Sequence, residues 1–115
     1  MIGEQLFEIT VTGNVSTKSS SNFKEWNSAV EESISSLPSK SLVGKKLAIS
    51  VKFWVTERRL TTGRNDLDNL VKPVLDVLTR MGKIADDDII FQLTLAKYPT
   101  NGPERTEMIC CEWLA

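Results

Sequence analysis

The sequence predicts an α+β fold, a single compact domain in which two helices pack against a mixed sheet in the order β-α-β-α-β-β. Four segments alternate apolar and polar residues, as half-buried strands do. Two longer segments repeat apolar residues at helical spacing. The chain has 115 residues, 41% of them hydrophobic, which suffices for one core but not for two ordinary domains. We therefore expect one domain over residues 1–115.

The first strand and the first helix are predicted in the N-terminal third of the chain. Phe7, Ile9 and Val11 alternate with polar residues, which indicates a strand. A helix is indicated next by apolar residues at helical spacing, namely Phe23, Trp26, Val30, Ile34 and Leu37. Asn22 and Glu25 have the spacing of a capping box, so we expect this helix to begin at Asn22.

The second strand and the second helix enclose a basic loop. Alternation from Leu47 to Val55 is the clearest strand pattern in the chain. Thr56 to Asn65 is polar and predicts a loop. Apolar residues then recur at helical spacing from Leu67 to Leu78, and Gly82 follows. Proline crowds the carbonyl four residues before it, so Pro73 predicts either a helix that begins near Asn69 or one that is kinked there.

The last two strands are predicted near the C-terminus. Apolar residues alternate from Ile89 to Leu95 and again from Ile109 to Trp113. Between them, Tyr98 to Pro103 is rich in proline and glycine, which is typical of a turn. We therefore expect these two strands to form a hairpin.

Composition excludes several kinds of chemistry. The chain has no histidine and a net charge of -1, so histidine bases and metal ligands are excluded, and nucleic-acid binding would need local positive charge. Cys110 and Cys111 are adjacent and have no other cysteine to pair with, which favours a reducing compartment. The sequence shows neither an export signal pattern nor an apolar run long enough to span a membrane. We expect a cytoplasmic protein.

Two groups of carboxylates flank the second helix. Asp66, Asp68 and Asn69 lie at its start, and Asp86, Asp87 and Asp88 lie between its end and the next strand. If the helix and the strand pack side by side, we expect both groups to meet at one end of the sheet. Carboxylates that share a site repel each other unless a cation neutralises them. A ligand set of oxygen atoms alone suits Mg²⁺, Mn²⁺ or Ca²⁺ rather than Zn²⁺.

Each of these residues also has an ordinary structural interpretation. Lys72 lies one helical turn from both Asp68 and Asp76, so it could form an exposed ladder of ion pairs or could stabilise negative charge beside a metal. From spacing alone, the ladder is favoured. Asp66 has the residue type and position of a helix cap. The three aspartates at residues 86–88 could be a solvated turn, and for Asp76 a structural role is favoured.

Taken together, these residues resemble the RusA family of Holliday junction resolvases. The family motif is D-x-D-N-L-x-K, followed by a helix and a paired D-D before a strand. This chain matches it in order and spacing over residues 64–90, at the positions Asp66, Asp68, Asn69, Leu70, Lys72, Asp86 and Asp87.

The resemblance implies the roles of the site residues. Asp66, Asp68 and Asp87 would be the catalytic Mg²⁺-binding carboxylates, with Asp86 as a further metal ligand, Asn69 in support and Mn²⁺ as a substitute ion. Lys72 would be catalytic, which reverses the preference from spacing. Members of the family are homodimers that place two active sites on a four-way DNA junction and make paired nicks, using metal-activated water.

DNA contacts are expected from positive charge near this motif. The candidates are Arg58, Arg59, Arg64 and Lys72. The resemblance therefore predicts a crossover junction endodeoxyribonuclease that takes part in DNA recombination and repair, with branched DNA as its substrate. A non-catalytic module that binds branched DNA and keeps the same fold is the alternative hypothesis.

Overall fold

The structure is a computed structural model that describes residues 1–17, 21–37, 42, 44–61 and 65–114, apart from the side chain of Asp87. It has the predicted order of elements. The strands are β1 (Ile2–Thr12), β2 (Leu47–Thr56), β3 (Ile90–Thr100) and β4 (Arg105–Trp113), and the helices are α1 (Phe23–Ser35) and α2 (Leu67–Arg80). No helix within the described ranges is long and apolar enough to cross a membrane.

The four strands form one mixed sheet in the order β1-β4-β2-β3. β2 is parallel to β3 and antiparallel to β4, whereas β1 is antiparallel to β4. The predicted hairpin of the last two strands is therefore wrong, because β2 lies between them. β3 forms one edge of the sheet and β1 forms the other.

The core lies between the two helices and one face of the sheet. Alternate residues of β2 supply its centre: Leu47, Ile49, Val51, Phe53 and Val55 are each at most 1% exposed. α1 contributes Trp26, Val30 and Ile34, which are its buried residues. α2 contributes Leu70, Val71, Val74 and Leu78, which its helical spacing predicts, together with Val77. This burial fixes which face of α2 points outward and therefore where its charged residues lie.

Two local expectations are corrected by the structure. Asn22 precedes α1 but makes no side-chain cap bond; its amide donates to the Asn14 carbonyl, and its oxygen accepts from Ser16. The predicted turn begins too early, since β3 continues through Pro99 to Thr100. Proline is tolerated there because β3 is an edge strand.

α2 begins at Leu67. One of the two expectations drawn from Pro73 placed the start of the helix near Asn69, two residues later. Pro73 lies inside the helix, so it donates no N–H to the carbonyl of Asn69. The first hydrogen bond of the helix forms before Pro73 is reached: the Leu70 N–H donates to the Asp66 carbonyl at 3.1 Å. Asp66 thus stands at the very start of the helix.

Candidate functional site

The N-terminal end of α2 brings together three of the predicted site residues. Asp66 has extended backbone angles and precedes the helix, and Asp68 lies in its first turn. The side-chain amide of Asn69 donates to Oδ1 of Asp66 at 2.7 Å. Asp66 occupies the N-cap position of α2, as its residue type suggested, but its side chain makes no cap bond to the helix. Its carboxylate is exposed and is oriented by Asn69.

The surroundings of Asp66 favour its ionised form. The pKa of Asp66 is lowered by a hydrogen bond from its own backbone, then by hydrogen bonding with the Asp68 side chain, and further by Asn69 and by the positive charge of Lys97. The positive end of the α2 dipole acts in the same direction. The start of α2 therefore presents an ionised Asp66 carboxylate next to Asp68.

Lys97 was not among the sequence-predicted residues, yet it anchors this end of α2. Its Nζ atom donates to the carbonyl of Leu60 at 2.6 Å and to the carbonyl of Asn65 at 2.8 Å. These contacts tie β3 to the segment that leads into Asp66. A sequence signal was available, because Leu93, Leu95 and Lys97 share one face of an alternating strand and only the last is charged.

Lys72 lies one turn beyond Asp68 on the exposed side of α2. Among the described side chains, no ion pair joins Lys72 to Asp68 or Asp76. The ladder favoured from spacing alone is therefore not formed. The Lys72 side chain is exposed, on the same side of α2 as Asp68.

The second acidic group lies at the opposite end of α2. Asp87 begins a short 3-10 helix, Asp87–Ile89, that leads directly into β3 at Ile90. α2 has 14 residues, so its two ends are about 20 Å apart at 1.5 Å per residue. β3 gives a similar separation, because Lys97 contacts the start of α2, and Ile90 to Lys97 spans about 23 Å of strand.

The topology explains why the two groups do not meet within one chain. β2 and β3 are parallel and α2 connects them, so the helix must run back from the end of β2 to the start of β3. Residues before the helix and residues before β3 therefore lie at opposite ends of the strands of the sheet. The expectation that both acidic groups meet at one end of the sheet is wrong for a single chain.

The basic residues near the site differ in their environments. Arg58 is exposed, while Arg59 forms an ion pair with Glu104 and donates to the Val15 carbonyl at 2.9 Å. Arg64 lies outside the described residues. The guanidinium of Arg59 thus connects the turn after β2 to the segment after β1, a contact that the sequence did not reveal.

The chemistry of the donors at the start of α2 fits a hard divalent cation. Asp66 and Asp68 offer only oxygen atoms, and the described residues include no histidine or cysteine there. Among the described side chains, which exclude that of Asp87, no three acidic or cysteine side chains are grouped closely enough to hold a metal ion. The residues present supply part of a coordination sphere.

Comparison with known proteins identifies the family. The sequence profile described as "Endodeoxyribonuclease RusA" matches residues 4–109. No curated protein sequence matches the chain.

Two solved structures of the periplasmic domain of Helicobacter pylori MotB are similar in overall shape. The structure of MotB residues 90–256 has a TM-score of 0.46 at 14% identity, covering 99% of this chain and 78% of that one. The structure of residues 97–256 has a TM-score of 0.47 at 15% identity, covering 99% and 87%. Neither likeness is close enough to bear on function, whereas the family profile spans most of the sequence. The chain belongs to the RusA family of endodeoxyribonucleases.

Proposed function

We propose that this protein is a Mg²⁺-dependent endodeoxyribonuclease that resolves Holliday junctions by hydrolysing one phosphodiester in each of two strands. It would act as a homodimer in DNA recombination and repair. The observation that carries the proposal is the placement of Asp66 and Asp68 at the start of α2, with the exposed Lys72 one helical turn beyond Asp68. Membership of the family supplies the class of reaction.

Asp66 and Asp68 would hold the metal, with Asn69 fixing the orientation of Asp66 through its 2.7 Å hydrogen bond. A bound Mg²⁺, or Mn²⁺ in its place, supplies a lowered pKa for attacking water and neutralises charge on the phosphate. The helix dipole and the neighbouring hydrogen-bond donors favour the ionised form of Asp66. The site is exposed, so a phosphodiester of a large DNA substrate can reach it.

Lys72 would stabilise the negative charge that develops on the phosphate oxygens during cleavage. Its ammonium is exposed and lies on the same side of α2 as Asp68. A fixed positive charge close to the reacting phosphate lowers the barrier more than a distant one does. Arg58, Arg59 and Arg64 would contact the DNA backbone, with Arg59 doing so while paired to Glu104.

The separation of the two acidic groups leads us to propose a site made from two chains. Asp66 and Asp68 of one chain would share a metal with Asp86 and Asp87 of a second copy. The family motif includes both acidic groups, yet within one chain they lie at opposite ends of α2. A homodimer with two such sites would match a substrate that has two strands to cut.

A cleavage assay with matched variants tests the proposal. Labelled four-way junction and linear duplex are incubated with the protein in Mg²⁺ and in EDTA. We expect the junction to be cut in Mg²⁺ only, and Asp68→Asn to lower the rate at least about a hundredfold by removing a metal ligand. Asp88→Asn is the control, since it removes the same charge from the neighbouring acidic group. Undiminished cleavage by Asp68→Asn would contradict the site.

The same assay distinguishes the alternative of a non-catalytic module. The net charge of -1 leaves that alternative open, whereas the intact D-x-D-N and D-D motifs argue against decay of the site. Junction binding in a gel-shift experiment without nicking in Mg²⁺ or Mn²⁺ would support the binding module and would refute the nuclease.

A further inference from the structure

We infer that Glu104 is a positioning residue for Asp66, and that it acts through Arg59 and Asn65. Glu104 lies immediately before β4 and belongs to neither of the acidic groups that flank α2. The inference rests on the proposed function, because the position of Asp66 matters for cleavage only if Asp66 holds the metal. It is carried by the burial of Glu104, by its partners and by a continuous series of contacts that leads from Glu104 to Asp66.

Glu104 is a buried carboxylate whose two oxygens are both bonded. Its exposed fraction is 2%. Oε1 accepts from the Val15 N–H at 3.1 Å and from Arg59, and Oε2 accepts from the N–H and the hydroxyl of Thr56, both at 2.9 Å. The backbone carbonyl of Glu104 accepts from the Gly13 N–H at 3.0 Å. One residue therefore joins the segment after β1 to the end of β2.

These contacts lie at the end of the sheet where α2 begins. β1 and β2 are each antiparallel to β4, so they run in the same direction and finish at the same end of the sheet. Thr12, the last residue of β1, and Trp54, near the end of β2, both pair with Arg105. Asp66 follows β2 along the chain, so the Glu104 carboxylate is buried at the same end of the sheet as the candidate site.

Arg59 connects Glu104 to the residue that precedes Asp66. Its guanidinium forms the ion pair with Glu104 and donates to the Val15 carbonyl at 2.9 Å. Its own backbone carbonyl accepts from the side-chain amide of Asn65 at 3.1 Å. Asn65 immediately precedes Asp66. A change at Glu104 is therefore transmitted to Asp66 through two residues.

A buried ion pair of this kind is poor evidence for a role in stability alone. The cost of removing both charges from water offsets most of their attraction, and apolar residues of similar volume are often as stable. A fully bonded polar network does, however, give the segments that it joins one defined arrangement. The segments joined by Glu104 and Arg59 include the one that leads into Asp66. Metal ligands that are held by such supporting bonds bind the ion more tightly.

Asn65 is held from two sides, which sets the size of the expected effect. Its side chain donates to Arg59, and its carbonyl accepts from Lys97 at 2.8 Å. Loss of Glu104 removes only the first of these constraints. We therefore expect substitution of Glu104 to weaken the site rather than to abolish it.

Native-state hydrogen exchange tests the inference without DNA or metal. The Leu70 N–H donates to the Asp66 carbonyl, so its exchange rate reports how firmly Asp66 is held, whereas the buried Val30 in α1 reports global unfolding. We expect Glu104→Gln and Asn65→Ala each to speed exchange at Leu70 severalfold. Asn65→Ala leaves the buried ion pair in place, so it should not change exchange at Val30.

Glu107→Gln is the matched control, because it removes the same charge three residues further along the chain. Glu107 forms a partly exposed pair with Arg105, so this variant should exchange like the wild type at Leu70. Unchanged exchange at Leu70 in either Glu104→Gln or Asn65→Ala would overturn the inference.

A Mn²⁺ titration, followed by the electron paramagnetic resonance signal of the free ion, relates the position of Asp66 to metal binding. We expect Glu104→Gln and Asn65→Ala each to weaken Mn²⁺ binding about tenfold, as losses of supporting bonds at metal sites do. The double variant should bind no more weakly than Glu104→Gln, because both changes break the same series of contacts. Wild-type affinity in either variant, or additive losses in the double variant, would overturn the inference. A wild type that binds no Mn²⁺ would instead refute the proposed metal site, and the exchange rates would still decide whether Glu104 positions Asp66.

Discussion

The Nζ atom of Lys97 lies 2.8 Å from the backbone oxygen of Asn65, the residue that immediately precedes Asp66. A second bond from the same ammonium reaches the carbonyl of Leu60 at 2.6 Å. One side chain of the edge strand therefore holds both ends of the segment that enters α2. The position of Asp66 depends on a contact from a distant part of the sequence.

Lys97→Met should destabilise the protein by about 2 kcal/mol, because hydrogen bonds from a charged donor contribute about 1.5 to 3 kcal/mol and methionine keeps only the apolar stem. The free energy of unfolding in urea measures the loss. Lys52→Met is the control: Lys52 is exposed on the adjacent strand β2, and its replacement should change stability by less than about 0.5 kcal/mol. Equal effects of the two variants would argue against the anchoring role of Lys97.

Glu104 is the most highly connected buried acid among the described residues. It is 2% exposed and accepts hydrogen bonds from the N–H groups of Val15 and Thr56, from the Thr56 hydroxyl and from Arg59. Burial raises the pKa of Glu104, but the bonds from Thr56 and Arg59 outweigh it, and the net pKa is lowered from its ordinary value of 4.5. The ionised form is thus favoured in the folded protein.

Glu104→Gln should therefore destabilise the protein at neutral pH by about 3 kcal/mol, since it leaves Arg59 without its countercharge. The pKa is lower in the folded state than in the unfolded state, so the stabilisation is present above the unfolded pKa and is lost as pH falls through the folded pKa. Melting temperatures from pH 7 down to pH 3 should fall more steeply for the wild type than for Glu104→Gln. Glu107→Gln, which alters a partly exposed pair with Arg105, should follow the wild-type slope.

The two adjacent cysteines should differ in reactivity. Burial, with a smaller contribution from Cys111, raises the pKa of Cys110 to about 12. Only the thiolate reacts with disulfide reagents, so Cys110 should not be labelled in the native protein at pH 8. Cys111 is partly exposed and should react. We expect Cys111→Ser to abolish native labelling by a thiol-specific disulfide reagent, and Cys110→Ser to leave it intact, with both thiols reacting in urea.

Local patterns in the sequence were sufficient to predict the elements of the fold. The alternation of Leu47 to Val55 and the helical spacing of Leu67 to Leu78 reflect burial of one side of each element, which is a local property. The position of β2 between β3 and β4 is not local. It depends on which strands pair with each other, and this is decided by contacts between residues that are far apart in the sequence. The expected hairpin was therefore wrong, although both of its strands were predicted.

The candidate site was predictable to a similar extent. Asp66, Asp68 and Asn69 are close in sequence and lie together at the start of α2. Asp86 and Asp87 follow the helix, and their distance from Asp66 is set by the parallel crossover rather than by sequence spacing. Lys97 and Glu104 were missed because a single charged residue in or beside a strand usually points to solvent, and only tertiary packing shows that these two do not.

Two inactive variants should restore cleavage when combined, if each metal site is made from two chains. Asp68→Asn and Asp87→Asn would each inactivate both sites of their own homodimer. In a mixed dimer, one site would carry both substitutions, while the other would keep Asp68 of one chain and Asp87 of its partner. Refolding the two variants together should therefore recover nicking of a labelled four-way junction, mainly in one strand because only one site is intact.

The control is a mixture of Asp66→Asn and Asp68→Asn, which should stay inactive. Asp66 and Asp68 of one chain belong to the same site, so each site of this mixed dimer would lack one of the two carboxylates. A mixture of Asp68→Asn and Asp87→Asn that stays inactive, although co-purification of one variant with an affinity-tagged copy of the other shows mixed dimers, would place the whole site within a single chain.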